Sequence, residues 1–487
     1  MHVCRRSWLC ALVLTTSALA LLLIGGHPSA QPTPPTPAAP SATAPFSLGL
    51  SPADTDPFEM TPRLFSGPQG ETLRLWQRLV PPDKGRVLLA AESEGEWKPL
   101  LEIAPQEENT TVGMGDLSVG PAGQLAVAYQ WWRRLPSSAK QIRVARSSDG
   151  GKTWIQSPTQ LDQSDKAFSP KAAWGRDQNL VVVWSDEIRG NRIWDIYARR
   201  STDGGATWEP EQHLSRFAVK TPTDAYVRPE LISDGKNTFW TVWVGIRGSW
   251  SRLYLNRSTD GGHTWTDPVE LSWPGVTTSG HRVFRSGERL LVIWNDRRTG
   301  RDRVYAVTSS DGGVSWTAPA RVDHSSEDAQ TDAVAPATVM NPSGEVLVVW
   351  HDGRYGRDDI FVARSTDWGR TWEDKDVRLD MDEPGTSVSR FASIARAADG
   401  RVAVAWEDDR AGWEGVYLRV RGAGPRSAWG PEMLVAPPGA KKACRMPVVF
   451  WGKDGSLKLA WEVLDYTRSL LAPKRNINGR TVKLEAK

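Results

Sequence analysis

Ser147-Ser148-Asp149-Gly150-Gly151-Lys152-Thr153-Trp154 is the stretch on which the fold turns, because the chain repeats it. Near-copies end at Trp208, Trp265, Trp316 and Trp372 and keep the pattern Ser-x-Asp-x-Gly-x-Thr/Ser-Trp. The steps between these tryptophans are about 54, 57, 51 and 56 residues, a period that signals a stacked or radial repeat architecture. A degenerate copy ends at Trp429, and a fainter one without the Asp ends at Trp97.

Each copy lies between two short apolar runs and reads as a hairpin tip. The Asp carboxylate can accept backbone N–H groups of its own turn. The glycines supply backbone angles that other residues resist. The Thr or Ser hydroxyl can bond back to the Asp, and the Trp buries a large ring against its neighbour. Every part serves folding, so Asp149, Asp203, Asp260, Asp311 and Asp367 read as structural residues rather than catalytic ones.

Outward from the octapeptide, the clearest unit is 336–379. Pro336 to Met340 is a first strand, Asn341-Pro342-Ser343-Gly344 a turn, and Glu345 to Trp350 a second strand with Val346, Val348 and Trp350 alternating. A polar loop leads to a third strand, Ile360 to Arg364; the octapeptide turns the chain into a fourth. Four antiparallel strands per repeat make a propeller blade. The plan fits 116–161, 170–214, 228–271, 281–322 and 391–434, with a weaker unit at 64–103 and a partial one at 446–466.

The octapeptide resembles the Asp box, or bacterial neuraminidase repeat, of the sialidase superfamily, and the resemblance spans roughly residues 64–466. It implies an all-β fold, a β-propeller of four-stranded antiparallel blades. It does not by itself imply a sialidase, because Asp boxes also occur in non-hydrolytic propellers. Closure by one blade shared between 64–103 and 446–466 predicts seven blades. Eight follow if each end builds its own blade, and a catalytic sialidase domain has six.

The chain has 487 residues, 60 Lys and Arg against 57 Asp and Glu, and a net charge of +3. That length holds one large propeller plus a leader, and so small an excess of charge gives no argument for a nucleic-acid partner, and none is expected. Its 25 Trp fall mostly at two places per repeat, the octapeptide and the second strand, as blade packing requires.

Residues 1–30 read as a signal peptide: Arg5 and Arg6, an apolar core from Leu9 to Ile24, then Pro28-Ser29-Ala30. Export, to the medium or the periplasm, follows; an uncleaved leader would be the one route to a membrane. Residues 31–63 are a Pro/Thr/Ala-rich linker and lead-in, and 64–487 the propeller. Only Cys444 remains after cleavage, so no internal disulfide forms in the mature chain, and the seven His include no pair at ligand spacing. No metal or cofactor is expected.

In a four-stranded blade the Asp boxes, joining strands three and four, occupy one face. The loops joining strands two and three, and the blade-to-blade connections, occupy the other, which holds the substrate in sialidases. On that second face a Trp-x-Asp-x-Arg phrase recurs: Trp184, Asp186 and Arg189 (one residue longer); Trp294, Asp296 and Arg298; Trp350, Asp352 and Arg354; Trp406, Asp408 and Arg410. It reads as a loop staple, the functional alternative being a polar ring for sugar hydroxyls or a cation.

The resemblance further implies three Arg for a substrate carboxylate, the first in an Arg-Ile-Pro phrase, since an Arg fork matches a carboxylate at two points. Arg445-Met446-Pro447 has that register; Arg390 holds the same place one blade earlier; Arg228-Pro229 is one residue off; Arg282 begins another inner strand. A Tyr nucleophile, a Glu and an Asp acid/base complete such a site, and no phrase marks them. Asp224, Tyr226 and Asp332, in or near second-face connections, are the candidates. The expected partner is a glycan or glycoconjugate. One reading is carbohydrate binding or exo-sialidase-type hydrolysis by an exported propeller; the other is a non-catalytic binding or scaffold propeller at the cell envelope.

Overall fold

Strand pairing follows the repeat around the ring. The computed structural model describes residues 46–47 and 58–482, except 81–83, 94–95, 135–137, 158, 188–193, 217–224, 248–249, 274–277, 327–329, 425 and 468–473. The expected leader therefore lies outside the described residues. Among the described residues there is no helix, and the strands form eight four-stranded antiparallel sheets, the blades of a β-propeller. Blades one to seven occupy 58–103, 110–156, 168–213, 225–270, 278–321, 334–378 and 389–436.

Blade eight corrects the expected count of seven. The C-terminal strands Lys442–Trp451, Leu457–Asp465 and Lys474–Val482 build its inner three positions, and Phe46–Ser47 pairs with Lys474–Val482 as the outermost strand. The ends do share a blade, but the shared N-terminal piece lies upstream of 58–103, which makes a blade of its own. Part of the segment read as linker is thus the closing strand.

The core lies between blades. Second strands are buried runs such as Leu180–Asp186 and Val346–Asp352, as strands covered on both faces must be. Their tryptophans, Trp184, Trp243, Trp294, Trp350 and Trp406, are fully buried. Trp243, Trp294, Trp350 and Trp406 stack on the third-strand rings of Tyr254, Tyr305, Phe361 and Tyr417.

The Asp boxes are built as the sequence suggests. In the first, Ser147 Oγ donates to Asp149 at 2.7 Å, Thr153 donates its N–H (2.9 Å) and hydroxyl (2.6 Å) to Asp149, and the Trp154 indole donates to the Gly151 carbonyl at 3.0 Å. The box is also a socket for the preceding blade: Asn179 donates to the Gly261 carbonyl at 2.8 Å and Trp240 to Gly312 at 2.7 Å.

A second repeated device had no sequence reading. After the short fourth strand, a Leu or Val and then an Asp or Ser bond back to strand three. Asp162, Ser215, Ser272, Asp323 and Asp380 accept the N–H of Ile142, Ile196, Leu253, Val304 and Ile360 at 2.7–3.1 Å.

Candidate functional site

The face opposite the Asp boxes is shaped by a bulge in every inner strand. The register shifts at Met60/Arg63, Gly113/Asp116, Phe168/Lys171, Val227/Glu230, Ser279/Arg282, Val334/Ala337, Arg390/Ser393 and Arg445/Val448. In blades three to eight the bulge carries a left-handed residue: Ser169, Arg228, Gly280, Ala335, Phe391 and Met446 all have φ between 51 and 59°. Pro170, Pro229, Pro336 and Pro447 follow four of them; a bulge leaves an N–H unpaired, so proline fits there. The proline of Arg445-Met446-Pro447 thus belongs to the blade plan.

The first residue after each bulge occupies an equivalent place on the channel wall. Blades one to five put charges of alternating sign there. Asp116 pairs with Arg63 at 2.9 Å and Lys171 at 3.5 Å; Glu230 pairs with Lys171 at 3.3 Å and Arg282 at 3.5 Å. Blades six to eight have Ala337, Ser393 and Val448 instead. His281 lies beside this zipper, buried, its Nε2 without a hydrogen-bond partner among the described residues. Burial pushes its pKa down to about 4, Arg282 and Arg228 pushing the same way against the opposing pull of Glu230.

The Trp-x-Asp-x-Arg phrase forms the expected staple. Trp350 and Trp294 each donate to the Asp two residues on, at 2.9 Å. Arg354 grips Asp352 through Nε at 2.8 Å and Nη2 at 2.6 Å, and reaches Asp376, just before the outer strand, through Nη1 at 2.9 Å. Arg410 binds Asp408 and, through Nη1, Glu432 at 2.6 Å. Each guanidinium also lies over the strand-three ring, 3.9 Å from Phe361 for Arg354 and 4.3 Å from Tyr417 for Arg410. Arg189 lies outside the described residues. Blade four has Gly245 where the Asp stands; a Cβ there would come within 2.6 Å of Tyr254 and 3.0 Å of Tyr226.

The residues expected to act together come from several blades. Tyr226 is fully buried, edge-on to Trp243 at 5.1 Å, and cannot meet a substrate. Asp332 accepts the N–H of Asp302 at 2.9 Å and lies 3.8 Å from Arg297. Asp224 lies outside the described residues. Arg228 is exposed on the bulge of blade four, while Arg390 and Arg445 hold matching places on blades seven and eight. Arg390 is paired with Asp358, and Arg445 with Glu407 at 3.2 Å and Glu414 at 3.6 Å.

Around Arg445 the loops of blades seven and eight converge. Glu407, buried, also accepts the N–H of Met446 at 2.9 Å; burial raises its pKa, against the pull of Arg445. Trp413, next to Glu414, lies 5.2 Å from the Tyr466 ring. Burial raises the Tyr466 hydroxyl, with Arg445 opposing. Two carboxylates, an Arg and two part-exposed rings therefore share one corner of the channel mouth. The Glu members had no sequence signal beyond following Trp406 and Trp413.

The acidic trio Asp359, Asp380 and Asp382 could hold a cation by spacing, but Arg378 already fills it, with Nη2 2.8 Å from Asp359, 3.1 Å from Asp380 and 2.5 Å from Asp382. Burial and the neighbouring Asp359 raise Asp380 to about 8.

A family model described as a BNR repeat-like domain matches residues 85–331, just over half of the chain. The chain belongs to the BNR repeat-like family. Its eight-bladed ring is a BNR, or Asp-box, propeller of the sialidase superfamily. It is similar to a xyloglucanase of Acetivibrio thermocellus, 23% identical over 302 residues, which cover 57% of this chain and 34% of that one. It is also similar to a sialidase of Bacteroides fragilis, 26% identical over 212 residues covering 37% of each chain. The chain spans about a third of the length of these curated relatives. Among solved structures, an α-L-arabinofuranosidase of Fusarium graminearum bound to arabinobiose is 14% identical with a TM-score of 0.42, covering 77% of this chain and 95% of that one.

Proposed function

We propose that this BNR propeller is an exported, carbohydrate-directed protein that takes a glycan on the face opposite its Asp boxes. The carrying observation is the blade seven–eight corner: the Trp413–Tyr466 ring pair beside Arg445, Glu407 and Glu414. Sugar sites join an apolar ring face, which covers C–H groups, to a few fixed polar groups that meet hydroxyls. That the relatives named above are glycoside hydrolases supports the same class of ligand.

Binding is favoured over sialoside cleavage. Arg390 and Arg445 are committed to the protein's own carboxylates, and Tyr226 is in the core. One observation favours hydrolysis as a second reading. Glu407 is pushed toward its protonated form beside a second carboxylate, Glu414, and a glycosidase needs one carboxyl that keeps its proton and one that does not.

A glycan array probed with the mature chain, alongside turnover of a fluorogenic sialoside and of xyloglucan, tests both. Binding that Trp413→Ala abolishes, without turnover, supports the first reading. Turnover lost in Glu407→Gln supports the second. A folded protein that shows no binding and no turnover refutes the carbohydrate assignment.

A further inference from the structure

In blades five, six and seven the Arg of the staple holds the Asp two residues before it. Blades five and six share the Trp indole, Nε and Nη2 bonds, whereas in blade seven Arg410 holds Asp408 through Nη2, and the Trp406 indole and Arg410 Nε have no partner among the described residues. In blades six and seven the Arg donates its Nη1 to a carboxylate just before the outer strand, Asp376 or Glu432. The equivalent residue in blade five is Pro319, fixed by the pairing of Tyr305 with Arg321 and of Phe361 with Arg378. Arg298 grips Asp296 through Nε at 2.9 Å and Nη2 at 2.5 Å, and its Nη1 has no partner among the described residues. An indole lies beside this guanidinium instead. Trp273, in the connection from blade four, has its ring 4.9 Å from the Arg298 guanidinium, whose other contact is Tyr305 at 3.7 Å. Trp273 is 48% exposed, whereas the second-strand tryptophans are buried.

An exposed indole loses free energy to water unless a ligand covers it, and a guanidinium fixed by a buried Asp but short of one acceptor is a ready donor. We infer that Trp273 and Arg298 form a saccharide subsite, one sugar ring stacking on the indole while a ring oxygen accepts the free Arg298 Nη1. Trp273 follows an outer strand and so lies toward the rim of the face, away from the channel. A ligand that also reaches the channel mouth must be a polymer, not a monosaccharide. The inference rests on the glycan-binding reading above and adds the length of ligand and a second point of contact.

The test is isothermal titration of the whole mature chain with soluble xyloglucan, linear arabinan and sialyllactose, each variant's melting curve being recorded beside it. The expected result is binding to one of the two polysaccharides. Trp273→Ala should weaken it about tenfold, the scale of losing one stacked ring. Pro319→Glu, which installs the acid of blade seven and occupies Arg298 while keeping Trp273, should weaken it about threefold or more. Ile155→Ala, an exposed residue beside the first Asp box, should leave it unchanged. Polysaccharide binding equal in wild type, Trp273→Ala and Pro319→Glu overturns the subsite and leaves the glycan reading standing. Sialyllactose binding as tight as polysaccharide binding overturns the polymer claim. Absence of all binding by folded wild type overturns both readings.

Discussion

The Trp350 indole donates to Asp352 at 2.9 Å, two residues further along the same strand, so one buried carboxylate anchors the strand-two ring as well as Arg354. Removing one partner of a buried, hydrogen-bonded pair strands the other. Asp352→Ala should cost about 3–5 kcal/mol, read as a fall in the urea midpoint. An unchanged midpoint contradicts the staple.

The Asp boxes should matter for stability and not for ligand. Asp260 is solvated at one edge and accepts bonds from Ser258, at 2.8 Å, and Thr264, at 2.9 and 2.6 Å. Asp260→Ala should lower stability by about 1 kcal/mol, a value discounted for that solvation. Glycan affinity measured below the melting range should stay within about twofold. Lost binding at unchanged stability would reverse the structural assignment.

Glu345, on the Asp-box face, is held by three guanidiniums, Arg364 at 2.9 Å, Arg396 at 2.7 Å and Arg421 at 2.9 Å. Burial opposes its charge, yet the three guanidiniums hold its pKa at about 2. Glu345→Gln should cost about 3 kcal/mol or more by leaving three cations without their acid. Because the folded pKa is depressed, this contribution is present above the unfolded value near 4.5 and is lost as pH falls toward 2. The variant's stability should therefore depend less on pH in that window.

Two buried histidines give a second pH window. His281 and His351 are each pushed down to about 4, mainly by burial. Around His351, Asp358 and Asp352 favour the proton and Arg390 opposes it. The unfolded chain binds a proton below about 6.5 that the fold refuses until about 4, so stability falls as pH drops between the two. His351→Gln should flatten that slope in pH-dependent urea midpoints; an unchanged slope means His351 does not contribute to it.

Closure can be tested by truncation. Deleting residues 1–50 removes Phe46–Ser47 and leaves Lys474–Val482 as an unpaired edge. Light scattering should show association and the melting temperature should fall, whereas deleting residues 1–40 should do neither.

What the sequence made legible was whatever recurs locally. The Ser-x-Asp-x-Gly-x-Thr-Trp turn keeps its partners within four residues, as Thr153 and Asp149 do, so spacing alone reveals it. Trp350, Asp352 and Arg354 are legible for the same reason. Of the eighth blade the strands within 446–466 were legible, but its closure was not, because its outer strand comes from residues 46–47 at the other end of the chain. Nor was the channel zipper: Arg63, Asp116, Lys171, Glu230 and Arg282 contribute one charge per blade, and only strand register aligns them. Arg445 was singled out from the sequence; Glu407 and Glu414, which decide its charge environment, are paired to it by neighbouring blades rather than by any phrase.

The last blade takes its outermost strand from residues 46–47 and its other three from 442–482. A ribosome makes the first of these pieces long before the others. Seven blades can pair as they emerge, but Phe46–Ser47 must wait for its partner strand Lys474–Val482. Completion of the ring therefore waits until residues 474–482 have left the ribosome, and a chain held or cut short of residue 474 has seven finished blades and no lock.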